Sequence, residues 1–136
     1  MASYWLLKTE PSTYSWDDLV TARRAPWDGV RNATALSHLR RMQPGDQALI
    51  YHTGKEKAIV GIATVVSAPY PDPKAGDPRL VVVELEAGKR LPVPVTLATI
   101  KADPRFADFA LVRIGRLSVM PVSGEQWQAI LKIAGG

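Results

Sequence analysis

A six-residue stretch at positions 27–32 (WDGVRN) carries the side chains best suited to binding a planar ligand. The flat indole of Trp27 can stack on a nucleobase, and nearby carboxylate and amide groups can form hydrogen bonds with the edge of that base. A tryptophan beside a flexible glycine and just before Asn32, a typical helix N-cap, is poorly explained by helix or strand packing. The indole could also close the end of a small barrel, and composition alone leaves both interpretations open.

Basic side chains near this stretch are candidates for contacts with phosphate groups. The five arginines concerned are Arg23, Arg24, Arg31, Arg40 and Arg41. The two adjacent pairs fall at predicted helix C-termini, where a cation also offsets the helix dipole, so a structural role and a phosphate-binding role both stay open. His38 is predicted inside a helix. His52 ends a predicted strand, where a structural hydrogen bond competes with acid–base chemistry as its role.

The composition excludes several kinds of active site. The absence of cysteine removes disulfides, thiolate metal sites and a cysteine nucleophile, and with only two histidines a catalytic zinc site is not expected. The signatures GxGxxG, GxxxxGK[ST], HExxH and GxSxG are missing. We therefore expect no metal and no cofactor. Seventeen Lys and Arg against thirteen Asp and Glu give a net charge of +4, which permits an anionic partner without requiring one.

The length of 136 residues suits one domain, and we expect a single domain over residues 1–136. The chain begins without a basic leader and apolar run, and no stretch approaches the ~20 apolar residues of a membrane span. These features favour a cytoplasmic protein without a membrane partner. The sequence leaves the oligomeric state open.

Local patterns predict the elements that must position the candidate residues. Strands are predicted at residues 4–9, 47–53, 59–67, 79–86, 91–95 and 112–120. Helices are predicted after Ser15, Asn32 and Ser123, which have N-cap side chains, near residues 96–102, and after Asp103. A turn is expected at residues 87–88, and prolines restrict 91–95 to a sheet edge. Because strands and helices do not alternate regularly, the fold class expected is α+β, a small and mostly antiparallel sheet curled towards a barrel.

Several linked segments resemble the EVE domain, a member of the PUA-like superfamily that also includes YTH and ASCH domains. The matching segments are YWLLKTEP at 4–11, YSWDDL at 14–19, WDGVRN at 27–32, LRRMQPGD at 39–46, YHTG at 51–54, IVGIA at 59–63 and APYPDP at 68–73. They occur in order and, with a weaker C-terminal half, span nearly the whole chain.

The resemblance implies a curled β-barrel of about five or six strands with peripheral helices. It also implies a non-catalytic pocket for a flipped modified base, N6-methyladenine or a 5-modified cytosine, in DNA or RNA. Carried over by position, Trp27 forms the aromatic wall, and Asn32 reads a base edge or holds the loop. The residues implied at the mouth of the pocket are Lys8, Thr9 and Glu10, and those implied on the opposite side are Tyr51 and His52.

A second interpretation assigns the same pocket to a free nucleoside or another planar metabolite, which the protein either binds or transforms. In that case His52 and Glu10 are the candidate acid and base. Affinity that falls as salt rises favours nucleic acid, whereas turnover of a nucleoside favours an enzyme.

Overall fold

The computed structural model describes residues 3–135, in which short helices surround a curled six-stranded sheet. The strands are β1 (Tyr4–Thr9), β2 (Arg24–Pro26), β3 (Gln47–His52), β4 (Ala58–Val65), β5 (Tyr70–Pro71), β6 (Val81–Val82), β7 (Glu84–Thr96) and β8 (Val119–Val122). The helices are α1 (Trp16–Ala22), α2 (Ala33–Leu39), α3 (Leu97–Ala102), α4 (Ala110–Arg113) and α5 (Gly124–Ile133), with one 3-10 turn at Pro104–Phe106. Strands β5 and β6 pair separately as a small ribbon.

The sheet has the order β2-β7-β4-β3-β1-β8. Strands β1 and β3 are parallel, and the other neighbouring pairs are antiparallel. The parallel pair needs a long crossover, which α1, β2 and α2 supply. The expected α+β class and mostly antiparallel curled sheet are therefore confirmed, with the sheet forming a half-barrel rather than a closed one.

Local sequence signals located several element boundaries correctly. Ser15 and Ser123 each form a capping box with the third helical residue, and the Asn32 side chain accepts a hydrogen bond from the Ala35 N–H. Strands β3 and β4, both predicted, pair as an antiparallel hairpin. These signals are reliable because each depends on residues only a few positions apart.

Two local predictions are wrong. Strand β7 runs straight through residues 87–88, where a turn was expected. Gly88 lies so close to β4 that a Cβ there would be 2.6 Å from the Ile62 carbonyl oxygen, so this glycine permits a close approach rather than a reversal. Residues 112–120 are not one strand, since α4 and a turn precede β8. The apolar spacing there fits a helical turn as well as a strand.

The core holds the tryptophans Trp5, Trp16 and Trp127 and a buried carboxylate. Asp46 accepts hydrogen bonds from the Trp5 indole N–H at 2.9 Å and from the Gln43 backbone N–H at 3.0 Å. Because a buried charge needs such partners, this group fixes the start of β1 beside β3. None of the helices within residues 3–135 is long and apolar enough to cross a bilayer.

Helix α1 docks on the sheet through the Trp16 ring, which is 1% exposed. The ring lies directly against Gly61 of β4, where a Cβ would come within 2.6 Å of ring carbons. The Trp16 backbone N–H also donates to the His52 Nε2 at 2.9 Å. These contacts place α1, and the turn that leads into it, at one end of the sheet.

Candidate functional site

A pocket of about 500 Å³ opens beside the C-terminal end of β1. One wall comes from β1 and the turn that follows it, another from the irregular segment after β2, and Ser118 closes the third side. The main lining residues are Lys8, Thr9, Glu10, Tyr14, Trp27 and Asp28. The volume is within the range typical of small-molecule sites, about 300–1,000 Å³.

Trp27 anchors the wall after β2. Its backbone N–H donates to the Val83 carbonyl at 2.8 Å, which ties this irregular segment to the residue just before β7. The indole is 7% exposed, and the Tyr14 ring meets it edge-on at 85° with ring centroids 6.2 Å apart. The tryptophan therefore both packs against the core and lines the pocket. A packing role and a ligand-binding role, both considered from the sequence, are compatible at this residue.

The sequence analysis did not single out Tyr14 as a site residue. Its ring lines the pocket, and its hydroxyl is buried with no hydrogen-bond partner among residues 3–135. Burial, followed by the nearby Asp18 and Asp28 carboxylates, raises the pKa of this phenol. The hydroxyl therefore stays protonated, and leaving it unpaired costs about 1–3 kcal/mol. Its place in the pocket lining depends on tertiary packing, which the sequence pattern does not reveal.

The turn after β1 is rigid because its polar groups hydrogen-bond to one another. The Thr9 hydroxyl donates to the Tyr14 carbonyl at 2.6 Å, and the Glu10 carbonyl accepts from the Tyr14 N–H at 2.9 Å. The Glu10 carboxylate accepts from the Ser12 N–H at 3.1 Å. That backbone bond is the first cause, with the Ser12 and Thr53 hydroxyls, of a lowered Glu10 pKa. Glu10 is therefore an anion at neutral pH, suited to accepting hydrogen bonds.

Lys8 lies at the inner end of the same wall and is half-buried. Its ammonium donates to the Gly115 carbonyl at 2.8 Å and lies 5.8 Å from the centre of the Tyr51 ring. Burial lowers the pKa of this lysine. Lys8 thus lines the pocket, while its ammonium contacts Gly115 and Tyr51, which line a neighbouring cavity.

The structure brings Trp27, Lys8, Thr9 and Glu10 together and places the other three predicted site residues elsewhere. Asn32 caps α2. Tyr51 lines a different cavity on the far side of Lys8. His52 is buried against α1, with its Nε2 accepting from Trp16 and its Nδ1 2.7 Å from Glu56. Because Nε2 is an acceptor, the ring proton lies on Nδ1 and is donated to Glu56.

The five candidate arginines are all exposed, and three have partners within the chain. Arg24 pairs with Glu86 at 3.0 Å, Arg40 donates to the Arg79 carbonyl, and Arg41 contacts His38. Arg23 ends α1 with a φ of 66°. Arg31 lines a small cavity that shares Asp28, Gly29 and Val30 with the pocket, which makes it the candidate arginine that borders the site.

Two other features carry less chemistry. A larger cavity of about 940 Å³ lies at the start of α5, but its described lining is mainly polar and includes no aromatic ring. Within residues 3–135, no group of three or more His, Asp or Glu side chains is placed to hold a metal ion. The Trp27 pocket combines two aromatic residues, Trp27 and Tyr14, with the acidic residues Glu10 and Asp28.

The fold is an α+β half-barrel, in which short helices surround a curled six-stranded sheet. An ASCH protein from Zymomonas mobilis shares the fold, with a TM-score of 0.61 at 11% identity over 96% of this chain and 95% of that one. Within this class, the chain belongs to the EVE domain family, whose model matches residues 3–133.

Relatives within the family match almost the whole of this chain. The NMR structure of Rpa0253 from Rhodopseudomonas palustris is 46% identical, with a TM-score of 0.93 over 98% of this chain and 94% of that one. Mouse thymocyte nuclear protein 1 is 28% identical over 98% of this chain and 74% of its own length. The human THYN1 protein, in a crystal structure with DNA containing 5-methylcytosine, is 27% identical, with a TM-score of 0.90 over 99% of both chains.

Proposed function

We propose that this protein binds nucleic acid that carries a modified base, and that the base leaves its stack to enter the Trp27 pocket. The modification favoured is 5-methylcytosine in DNA. The observation that carries the proposal is a pocket of about 500 Å³ lined by Trp27 and Tyr14, whose rings meet edge-on, and by the acidic residues Glu10 and Asp28.

The pocket chemistry supports a base rather than a wholly apolar ligand. An indole supplies a flat apolar face, and stacking contributes on the order of 1–3 kcal/mol for each base. Glu10 and Asp28, also in the lining, have carboxylates that can accept hydrogen bonds from a polar ring edge. A planar metabolite without a polar edge would form no hydrogen bonds with the polar side chains of the pocket.

The family supports the choice of base, since the human relative was crystallised with DNA containing 5-methylcytosine. A methyl group adds apolar area that the pocket removes from water, which contributes about 0.8 kcal/mol. The expected preference for the modified over the plain base is therefore about fourfold from burial alone. N6-methyladenine is an alternative modified base, and RNA is an alternative nucleic acid. Binding measurements compare both with 5-methylcytosine in DNA.

The proposal is tested by titrating the protein with matched short oligonucleotides and following fluorescence anisotropy. The set holds 5-methylcytosine, cytosine, N6-methyladenine and adenine in DNA and RNA, at several salt concentrations. We expect DNA with 5-methylcytosine to bind about fourfold more tightly than its plain counterpart, with affinity falling as salt rises. Equal binding of all members would contradict the proposal, and turnover of a free nucleoside would assign the pocket to an enzyme.

Replacing Tyr14 by Phe is expected to change stability and binding in opposite directions. The variant loses a buried hydroxyl that has no partner within residues 3–135, so the free energy of unfolding stays level or rises by up to about 1 kcal/mol. Affinity for the modified oligonucleotide falls roughly fivefold to tenfold, because a hydrogen bond to the base is lost.

Urea unfolding and the same anisotropy titration measure the two effects. Tyr4→Phe is the matched control, because Tyr4 stacks on Trp127 away from the pocket lining. If Tyr14→Phe binds as tightly as this control, the Tyr14 hydroxyl does not contact the base.

A further inference from the structure

We propose that a second cavity, lined by Lys8, Lys57 and Lys101, binds a phosphate group next to the nucleotide whose base enters the Trp27 pocket. This inference rests on the proposed function. It assigns a binding site to a phosphate group, a part of the nucleic acid that the Trp27 pocket does not bind. We call this space the lysine cavity.

The lysine cavity gathers cations from three separate elements. Lys8 comes from β1, Lys57 from the turn between β3 and β4, and Lys101 from the last turn of α3. The volume is about 230 Å³, smaller than the usual range for drug-sized ligands but sufficient for a compact anion. None of the described lining residues is acidic.

The charges in this cavity are available to a ligand. Within residues 3–135, neither Lys57 nor Lys101 has an ion-pair partner. Lys8 uses one of its three N–H donors on the Gly115 carbonyl and keeps two. A phosphate in this space can accept hydrogen bonds from the lysine side chains that line it.

The backbone holds two of the lysines in place. The Lys57 carbonyl accepts from the Leu97 N–H at 2.8 Å, which links the hairpin turn to the start of α3. Lys57 itself has a φ of 46°, a left-handed conformation that is unfavourable for a residue other than glycine. Such a conformation persists where the surroundings require it, and here it belongs to a cavity-lining cation.

The Trp27 pocket and the lysine cavity are adjacent and share one lining residue. Lys8 lines both, and the connection before β8 supplies Ser118 to the Trp27 pocket and Gly115 to the lysine cavity. A nucleotide with its base against Trp27 can therefore place an adjoining phosphate on the other side of Lys8. In this arrangement, contacts with the base determine selectivity, and contacts with the phosphate position the nucleotide.

The test uses the double substitution Lys57→Gln with Lys101→Gln, which removes two exposed charges. The control is Lys89→Gln with Lys132→Gln, an equal loss of exposed charge outside both cavities. Ligands are 5-methyldeoxycytidine, its 3′- and 5′-monophosphates, inorganic phosphate and a single-stranded oligonucleotide containing the modified base. Calorimetry measures affinity over a range of salt, and NMR shifts of Thr53 and Gly54 follow occupancy.

The expected result is that the lysine-cavity variant binds the oligonucleotide about tenfold more weakly, with a salt slope shallower by about 1 than that of the control. It binds the nucleoside as tightly as the wild type, and it keeps the preference for the modified base. In the wild type, at least one monophosphate binds more tightly than the nucleoside, and the variant loses this gain.

Other results overturn the inference in distinguishable ways. If the wild type prefers the modified base but the lysine-cavity variant behaves as the control does, the inference is wrong and the proposed function stands. If inorganic phosphate fills the cavity while neither monophosphate binds better than the nucleoside, the cavity takes a free anion. If the wild type shows no preference for the modified base, the proposed function fails and the inference fails with it.

Discussion

Replacing Trp27 by Leu is expected to abolish the preference for a modified base and to weaken binding of the modified oligonucleotide roughly tenfold or more. Leucine keeps apolar volume in the wall but removes the flat ring on which a base stacks, and stacking contributes on the order of 1–3 kcal/mol. Leucine is preferred to alanine because the indole is only 7% exposed and its complete removal would also open a cavity in the core. Anisotropy with modified and plain oligonucleotides measures the change.

Two companion substitutions separate binding from stability. Trp27→Phe retains an aromatic face and should keep part of the affinity. Trp127→Leu makes the same change at a buried tryptophan that stacks on Tyr4, away from the pocket lining, and should lower stability without altering the preference. A folded Trp27→Leu protein that still prefers the modified base would show that stacking on this indole does not select it.

Replacing Gly61 by Ala is expected to lower the free energy of unfolding by about 3 kcal/mol, a large share of the 5–15 kcal/mol typical of a domain. The added methyl would lie 2.6 Å from carbons of the Trp16 ring, which is buried and has no space to retreat. Because the ring fixes α1 on the sheet, its displacement also disturbs the turn that carries Tyr14. Urea unfolding followed by circular dichroism measures the loss.

Gly124→Ala is the matched control, since a Cβ at that position meets nothing within 4 Å and the site lies in the first turn of α5. It should leave stability unchanged or raise it by about 0.5–1 kcal/mol. Combining Gly61→Ala with Trp16→Leu should cost less than the sum of the two single changes, because the smaller side chain makes room for the methyl. Equal effects at Gly61 and Gly124 would refute the packing explanation.

How far the sequence predicted the fold depends on the distance over which each signal acts. The capping boxes at Ser15 and Ser123 were found because their partners lie three residues away. The parallel pairing of β1 with β3 joins residues more than forty positions apart, and no local pattern specifies it. The same limit explains the wrong prediction at Gly88. This position requires a small residue because the Ile62 carbonyl on β4 lies close to it, and not because the chain turns there.

The candidate site was predicted in the same uneven way. Trp27 and the residues at the end of β1 stood out because their segments carry unusual residue types in an identifiable order. Tyr14 was missed, since its importance comes from a hydroxyl that tertiary packing leaves unpaired. Tyr51 and His52 follow one another on β3, so their side chains leave opposite faces of the sheet, one towards the lysine cavity and the other towards α1.

The position of Lys8 between two cavities has a thermodynamic consequence. A single ammonium, anchored to the Gly115 carbonyl, is shared by whatever occupies either side. Any occupant that changes how this ammonium is held must alter affinity on the other side, and reciprocity requires the factor to be the same in both directions. For a ligand that fills both proposed sites, occupancy of one cavity would then change affinity in the other by the same factor in each direction.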